Sequence, residues 1–89
     1  MATVVLPRLL DPATGGRRSI EVNGATIGAA LESLVTEIPA VAVHLFDHTG
    51  ALRPHVLCFV DSESNRLEDR QAPIAPGSRI RFVQAVSGG

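Results

Sequence analysis

Thr26-Ile27-Gly28-Ala29-Ala30-Leu31-Glu32-Ser33-Leu34-Val35-Thr36-Glu37-Ile38-Pro39 is the stretch on which the fold turns. Ile27, Ala30, Leu31, Leu34, Val35 and Ile38 recur at steps of three and four residues, which lines them along one side of an α-helix. Thr26 stands where a hydroxyl accepts from one of the N–H groups that the first helical turn leaves without a partner. Pro39 ends the helix, because it has no N–H and because it pushes Ile38 away from helical geometry. Glu32, Ser33 and Thr36 fall off the apolar stripe, so this helix has one side that must be buried.

The flanks say what it is buried against. Thr3-Val4-Val5-Leu6-Pro7 is rich in β-branched residues and reads as a strand, with Pro7 where no ladder bond is needed. Asp11-Pro12-Ala13-Thr14-Gly15-Gly16 is a dense turn signal, and Ser19-Ile20-Glu21-Val22 alternates as a half-buried strand does. The two strands are expected to form a hairpin with a long loop. Beyond the helix, Val41, Val43 and Leu45 alternate, while Val41 and Leu45 also fit a helical turn; residues 40–47 support both readings. Asp47-His48-Thr49-Gly50 turns the chain. His55 to Asp61 is a strand with apolar residues on both faces, Asp61 to Asn65 a polar turn, and Arg66-Leu67 a very short strand. Pro76-Gly77 fits a tight turn, in which Pro presets φ and Gly accepts a positive one. Arg79 to Val86 is the last strand.

The order is thus ββ, helix, β, short β, β. This predicts an α+β fold, a mixed four- to five-stranded sheet packed on one main helix, with the other face of the sheet open. The domain is expected to span residues 1–86, with 87–89 as a flexible tail.

Length and composition bound the function. With 89 residues, 45% hydrophobic and 19% charged, the chain makes one small domain. Folding at this size removes only about 60–68% of the unfolded surface from water, enough for one core and too little for a deep catalytic cleft as well. No stretch approaches the roughly 20 apolar residues of a membrane span. Met1-Ala2-Thr3-Val4-Val5 has no basic start before its apolar run, so no signal peptide is expected and the cytoplasm is the expected compartment. A net charge of −1 argues against nucleic acid, whose binding needs clustered cations. A single cysteine, Cys58, excludes a disulfide scaffold, a four-cysteine zinc site and a cysteine-ligated iron–sulfur cluster. All eight basic residues are Arg and none is Lys, so no side chain here forms a Schiff base or accepts a modifier.

Side chains offer little chemistry. His44 and His48 are four apart, but with His55 they complete no zinc spacing, and no metal site is expected. Cys58 sits mid-strand between Leu57 and Phe59, the setting of a buried structural thiol. Asp61, Ser62 and Ser64 lie in a turn and are expected to bond their own backbone rather than to form a hydrolase site. Arg17 and Arg18 beside Gly15-Gly16 read as a solvated face.

The end of the sequence is more informative. A free α-carboxylate on Gly89 titrates near 3.3–3.7 and is ionised at neutral pH. Gly88 and Gly89 have no Cβ, so such a tail is thin enough to enter a narrow active site and present its carboxylate to a bound nucleotide.

On this element order, the ending Ala85-Val86-Ser87-Gly88-Gly89 resembles the ubiquitin-like β-grasp sulfur carriers, the MoaD/ThiS family. Their usual ending is close to Pro-Ala-Val-Ala-Gly-Gly; here Gln84 replaces the proline and Ser87 the last alanine. Leu52-Arg53-Pro54-His55-Val56 through Phe59-Val60-Asp61 resembles the family's third strand. Thr14-Gly15-Gly16 and Thr26-Ile27-Gly28 resemble the cysteine-biosynthesis branch in particular. The resemblance implies a carrier that catalyses nothing itself. An adenylating, ubiquitin-activating-type enzyme using ATP and magnesium would activate Gly89, with Gly88 beside it, and a sulfur donor would convert the adenylate to a thiocarboxylate. The acceptor would be a pyridoxal-phosphate cysteine synthase, with a metallopeptidase freeing the product. A second reading implied by the resemblance is the small, non-catalytic subunit of molybdopterin synthase, whose tail inserts into the large subunit as its acceptor. A third reading is a ubiquitin-fold interaction module or protein modifier. Because the sequence ends at Gly89, no trimming is expected before activation.

Parity gives a docking face. Val56, Cys58 and Val60 share one side of their strand and Ile80 and Phe82 one side of theirs, and these are placed against the helix. Leu57, Phe59 and Val83 then emerge on the open face with His55 and Arg81 at its edges, and Val86 and Ser87 continue toward the tail. Arg79, Arg81 and Arg53 are expected to help dock an acidic partner surface. An apolar cluster rimmed by polar groups marks an interface, unless residues 41–47 or the hairpin loop fold over it.

Overall fold

A computed structural model describes residues 1–84. Its long helix, α2, runs from Ile27 to Glu37 and buries Ile27, Ala30, Leu31 and Leu34, as the spacing predicts, while Val35 is half-buried. The Thr26 hydroxyl accepts from the Ala29 N–H at 3.2 Å. The Ile27 and Gly28 N–H groups donate to the carbonyls of Ala72 and Arg70, so the loop around residue 70 closes the helix start. Gly28 is required there, since a Cβ would lie 2.9 Å from the Arg70 carbonyl oxygen. The helix ends at Ile38, whose extended φ of −135° before Pro39 is the expected geometry.

Five strands form one sheet: β1 (Ala2–Val5), β2 (Ser19–Val22), β3 (Val56–Val60), β4 (Glu63–Ser64) and β5 (Arg79–Gln84). Their order is β2-β1-β5-β3-β4. β1 pairs antiparallel with β2 and parallel with β5, and β3 pairs antiparallel with both β5 and β4. The parallel pair at the centre makes the sheet mixed. The long β1–β2 loop is not bare: it holds a 3₁₀ turn (Arg8–Leu10) and a single helical turn, α1 (Asp11–Thr14), closed by Gly15 at φ 68°.

Residues 40–47 resolve toward the helical reading. α3 (Val41–Leu45) buries Val41 and Leu45 in the same core as α2, so it packs on the helix side and leaves the opposite sheet face free. That core joins Val4, Ile20, Val22, Val56, Cys58, Ile80 and Phe82 of the sheet to the helices. Phe46 meets Phe82 edge-on, 6.3 Å between ring centroids. Each fully buried side chain of this kind contributes about 1.5–3 kcal/mol.

The short strand lies elsewhere than predicted. It is Glu63–Ser64, not Arg66-Leu67. Asp61 and Ser62 both have positive φ, 50° and 76°, as the two central residues of a tight hairpin turn require, so pairing resumes at once. Leu67, at φ 61°, then turns the chain inward and is buried. The reading missed this because the usual cue, a glycine after the Asp, is absent. The last strand is described to Gln84; the remainder of the predicted strand, and the boundary at residue 86, lie outside the described residues.

Candidate functional site

Register fixes which side chains share the free face. Leu57 stands opposite Val83 and Phe59 opposite Arg81. Across the parallel pair, Arg81 stands opposite Val5 and Arg79 opposite Thr3, and β2 adds Ser19 and Glu21. All of these have the strand parity opposite to Val56, Cys58, Ile80 and Phe82. Leu57 is 41% exposed, while Phe59, Val83 and Val5 are half-buried. The result is an apolar patch rimmed by Arg79, Arg81, Glu21, Ser19 and Ser64, all exposed.

Phe59 is not a bare ring. The Arg81 guanidinium lies over it, 5.5 Å from its centroid, and with Arg79 and Ser62 the two border a hollow of about 130 Å³. A cation over an aromatic face is held by the ring quadrupole, and it leaves the guanidinium edge free for a carboxylate. This corner is braced by Asp61. Its carboxylate accepts from the Arg79 N–H at 2.9 Å and the Ser78 hydroxyl at 2.8 Å, and its own N–H donates to the Arg79 carbonyl. Those two donors, the Arg79 N–H first, hold the Asp61 carboxyl below the usual carboxylate range. Asp61 therefore bonds across the sheet, and not to its own turn as the sequence suggested.

Of the predicted docking residues, Leu57, Phe59, Val83 and Arg81 are together on this face, and His55 is exposed just ahead of β3. Arg79 joins them. Arg53 does not: its Nε donates to the Val43 carbonyl and it lines a groove of about 930 Å³ between α2 and α3, on the helix side. It sits before β3 begins, so strand parity says nothing about its side. Val5 and Thr3 were missed, since Val4 and Val5 are alike in sequence and only pairing with β5 separates them. Val86, Ser87, Gly88 and Gly89 lie outside the described residues.

The other candidates are structural. Cys58 is 2% exposed, and burial pushes its thiol up to about 12, far from a working nucleophile. Asp47 accepts from the Thr49 hydroxyl and from the Thr49 and Ala51 N–H groups, which makes residues 47–50 a turn and lowers its carboxyl. Arg17 is paired with Glu37 and Arg18 with Asp11, both at the surface. Among the described residues, no three His, Cys, Asp or Glu side chains gather as a metal site, and no helix is long and apolar enough to cross a membrane.

A mixed five-stranded sheet grasping one long helix, with its outer face uncovered among the described residues, is the ubiquitin-like β-grasp fold. The chain matches the model of the ThiS family over residues 4–89 and belongs to that family. It is 33% identical to the sulfur carrier protein CysO of Mycobacterium tuberculosis over 90 residues, 98% of this chain and 97% of that protein. The crystal structure of M. tuberculosis CysO superposes with a TM-score of 0.82 at 31% identity, covering 97% of this chain and all of that one. The structure of an Amycolatopsis orientalis BexX/CysO complex gives 0.85 at 26% identity, covering 100% of both chains. That of SAMP1 from Haloferax volcanii gives 0.77 at 29%, covering 99% of this chain and 98% of that one.

Proposed function

We propose that this protein is a cytoplasmic sulfur carrier whose sulfur is loaded on Gly89. The observation that carries the reading is the family match, which runs through the terminal Gly88-Gly89 pair. The full-length likeness to the sulfur carrier CysO supports it. The carrier performs no chemistry of its own. In an activating enzyme of the ubiquitin-activating type, a Gly89 carboxylate oxygen attacks the α-phosphorus of magnesium-bound ATP and pyrophosphate leaves. A sulfur nucleophile then attacks the carbonyl carbon and AMP leaves, which yields the thiocarboxylate.

The open face is the docking surface in this reading. Leu57, Val83 and Phe59 supply area to desolvate, and Arg79 and Arg81 set register against partner carboxylates. That a CysO relative has been crystallised in complex with BexX supports docking to a second protein. The acceptor is a pyridoxal-phosphate cysteine synthase acting on an activated serine, with a metallopeptidase downstream; the molybdopterin synthase large subunit is the alternative acceptor.

Likeness to the small archaeal modifier proteins favours a second reading, in which Gly89 is joined to amines of other proteins. Intact mass after incubation with ATP, sulfide and a candidate activating enzyme separates the two. One oxygen replaced by sulfur at Gly89 is the carrier outcome. Gly89 in isopeptide linkage to added proteins, with no sulfur gained, is the modifier outcome. Deleting Gly89, or replacing Gly88 by a bulky residue, should abolish loading and leave the fold intact; a tailless chain that still takes up sulfur would sink the proposal.

A further inference from the structure

The helix side of the molecule carries a feature that docking on the open sheet face leaves unused. The groove of about 930 Å³ runs between α2 and α3. Its most buried lining residues are Leu31, 3% exposed, and Phe46, 8% exposed, with Val35 and Ala42 half-buried beside them. Val43 continues this apolar surface at the rim. It is 65% exposed, more than any other large apolar side chain among the described residues. The wall from Gly28 to Val35 is about 10 Å long, roughly two helical turns.

Two guanidinium groups border the groove. Arg53 Nε donates to the Val43 carbonyl at 2.9 Å, which ties it to α3. Arg70 lies over the Phe46 ring, 5.3 Å from its centroid. Its Nε donates to the Leu67 carbonyl at 2.7 Å and a terminal nitrogen to the Gly50 carbonyl at 2.6 Å, beside the turn that follows α3. Backbone carbonyls thus hold both groups, and among the described residues neither pairs with a carboxylate. A guanidinium anchored in this way keeps terminal N–H groups for a planar acceptor and loses little freedom on binding one. Two carboxylates line the same groove. Asp47 accepts from the Thr49 and Ala51 N–H groups, whereas Glu32 is exposed on the α2 wall. Positive charge therefore stands on the α3 flank and negative charge on the α2 flank.

Shape and chemistry together select the occupant. Glu32, Val43, His48 and Gln71 are exposed along the groove, so it is an open trough. A small-molecule site instead encloses about 70–90% of its ligand. None of β1 to β5 lines it, so it offers no free strand edge to an extended peptide. A polyproline ligand needs a row of aromatic rings, and Phe46 is the one phenylalanine in the lining. A helix fits. Laid along two turns of α2, it presents apolar side chains at i, i+3, i+4 and i+7 to the groove and polar ones on its flanks.

The geometry points to this groove as the docking site for an amphipathic helix of a partner protein. The helix carries apolar anchors over Leu31, Val35 and Val43, carboxylates on the flank that meets Arg53 and Arg70, and none on the flank that meets Glu32. Opposite charges across such a contact fix its register and suppress the reversed orientation. The groove lies on the helix side of the sheet, away from Leu57 and Phe59, so a partner held there leaves the open face uncovered. The inference does not rest on chemistry at Gly89.

The test selects binders to the full chain from a phage-displayed library of single-helix peptides, with a fixed apolar stripe and both flanks randomised among Glu, Lys, Gln and Ser. Selected peptides should carry Glu on one flank only. Their affinity, read by fluorescence anisotropy, should fall at least about tenfold against Val43→Glu and against Arg53→Glu. It should change less than about twofold against Leu57→Asp, on the far side of the sheet. Selection against Arg53→Glu should return peptides with Lys on the flank that carried Glu. Circular dichroism checks that each variant folds, and the exposed Val43 keeps one variant clear of the core. Peptides without the one-sided acidic flank overturn the inference, as does a library that yields no binder. So do peptides that hold Val43→Glu as tightly as wild type, or that are lost on Leu57→Asp instead. A wild-type chain that sediments as a dimer and becomes monomeric as Val43→Glu would assign the groove to a second copy and overturn it as well.

Discussion

Leu57→Asp puts a charge at the centre of the open face, and its two consequences are separable. Leu57 is 41% exposed and meets Val83 across the strands, with Arg81 on the diagonal. Losing one such cross-strand pair costs about 0.2–1 kcal/mol. The poorer fit of Asp to a strand adds at most about 1 kcal/mol, and the new carboxylate gains some of this back from Arg81. A net loss near 1 kcal/mol lowers Tm by about 4–8 °C in a domain of this size. Docking should suffer more. A carboxylate buried unpaired in a hot spot costs at least about 2 kcal/mol, or roughly thirtyfold in Kd. Thermal unfolding by circular dichroism and calorimetric titration against the activating enzyme measure the two effects. Unchanged affinity would refute the docking face. A fall in Tm as large as that of a core truncation would refute the assignment of Leu57 to the outer side.

Three further predictions address the fold beneath this face. Leu31 is 3% exposed in the core, so Leu31→Ala should lose about 2–5 kcal/mol in urea unfolding; a loss below about 1 kcal/mol would count against the helix face. With its thiol pushed up to about 12 by burial, Cys58 should resist disulfide reagents at neutral and mildly alkaline pH and react fully in urea. Native labelling at the unfolded rate would contradict this. The Asp61 carboxyl is held low by the Arg79 N–H and the Ser78 hydroxyl. A depressed folded-state value contributes stability that is present above the unfolded value of about 3.9 and is lost as pH falls through the folded one. Asp61→Asn should therefore be less stable than wild type at neutral pH, with the gap closing in acid. Urea midpoints that differ equally at neutral and acid pH would refute the role.

The gap between sequence and structure is instructive where it opens at particular residues. Thr26, the stripe from Ile27 to Ile38, and Pro39 carried the helix because their signals are local: spacing, one hydroxyl and one missing N–H. The parity of Val56, Cys58, Ile80 and Phe82 likewise placed Leu57, Phe59, Val83 and Arg81 together, because a side chain's face follows from its neighbours alone. The short strand was misplaced because the Asp61-Ser62 turn carries no glycine. Its first residue, Asp61, is tied by bonds to Ser78 and Arg79, 17 and 18 residues further on.

The sequence by itself determined the α+β class, the main helix and its buried side, the strand faces, the terminal Gly88-Gly89 pair and the absence of lysine. Only the tertiary structure decided that β1 runs parallel to β5, that α3 packs under the sheet, and that Arg53 faces the helices while Arg79 and Arg81 face out. It alone set Phe59 under the Arg81 guanidinium. The physical reason is the same in each case. Propensity, capping and strand parity act within a few residues, whereas pairing and register between segments far apart in sequence are settled by burying one shared core.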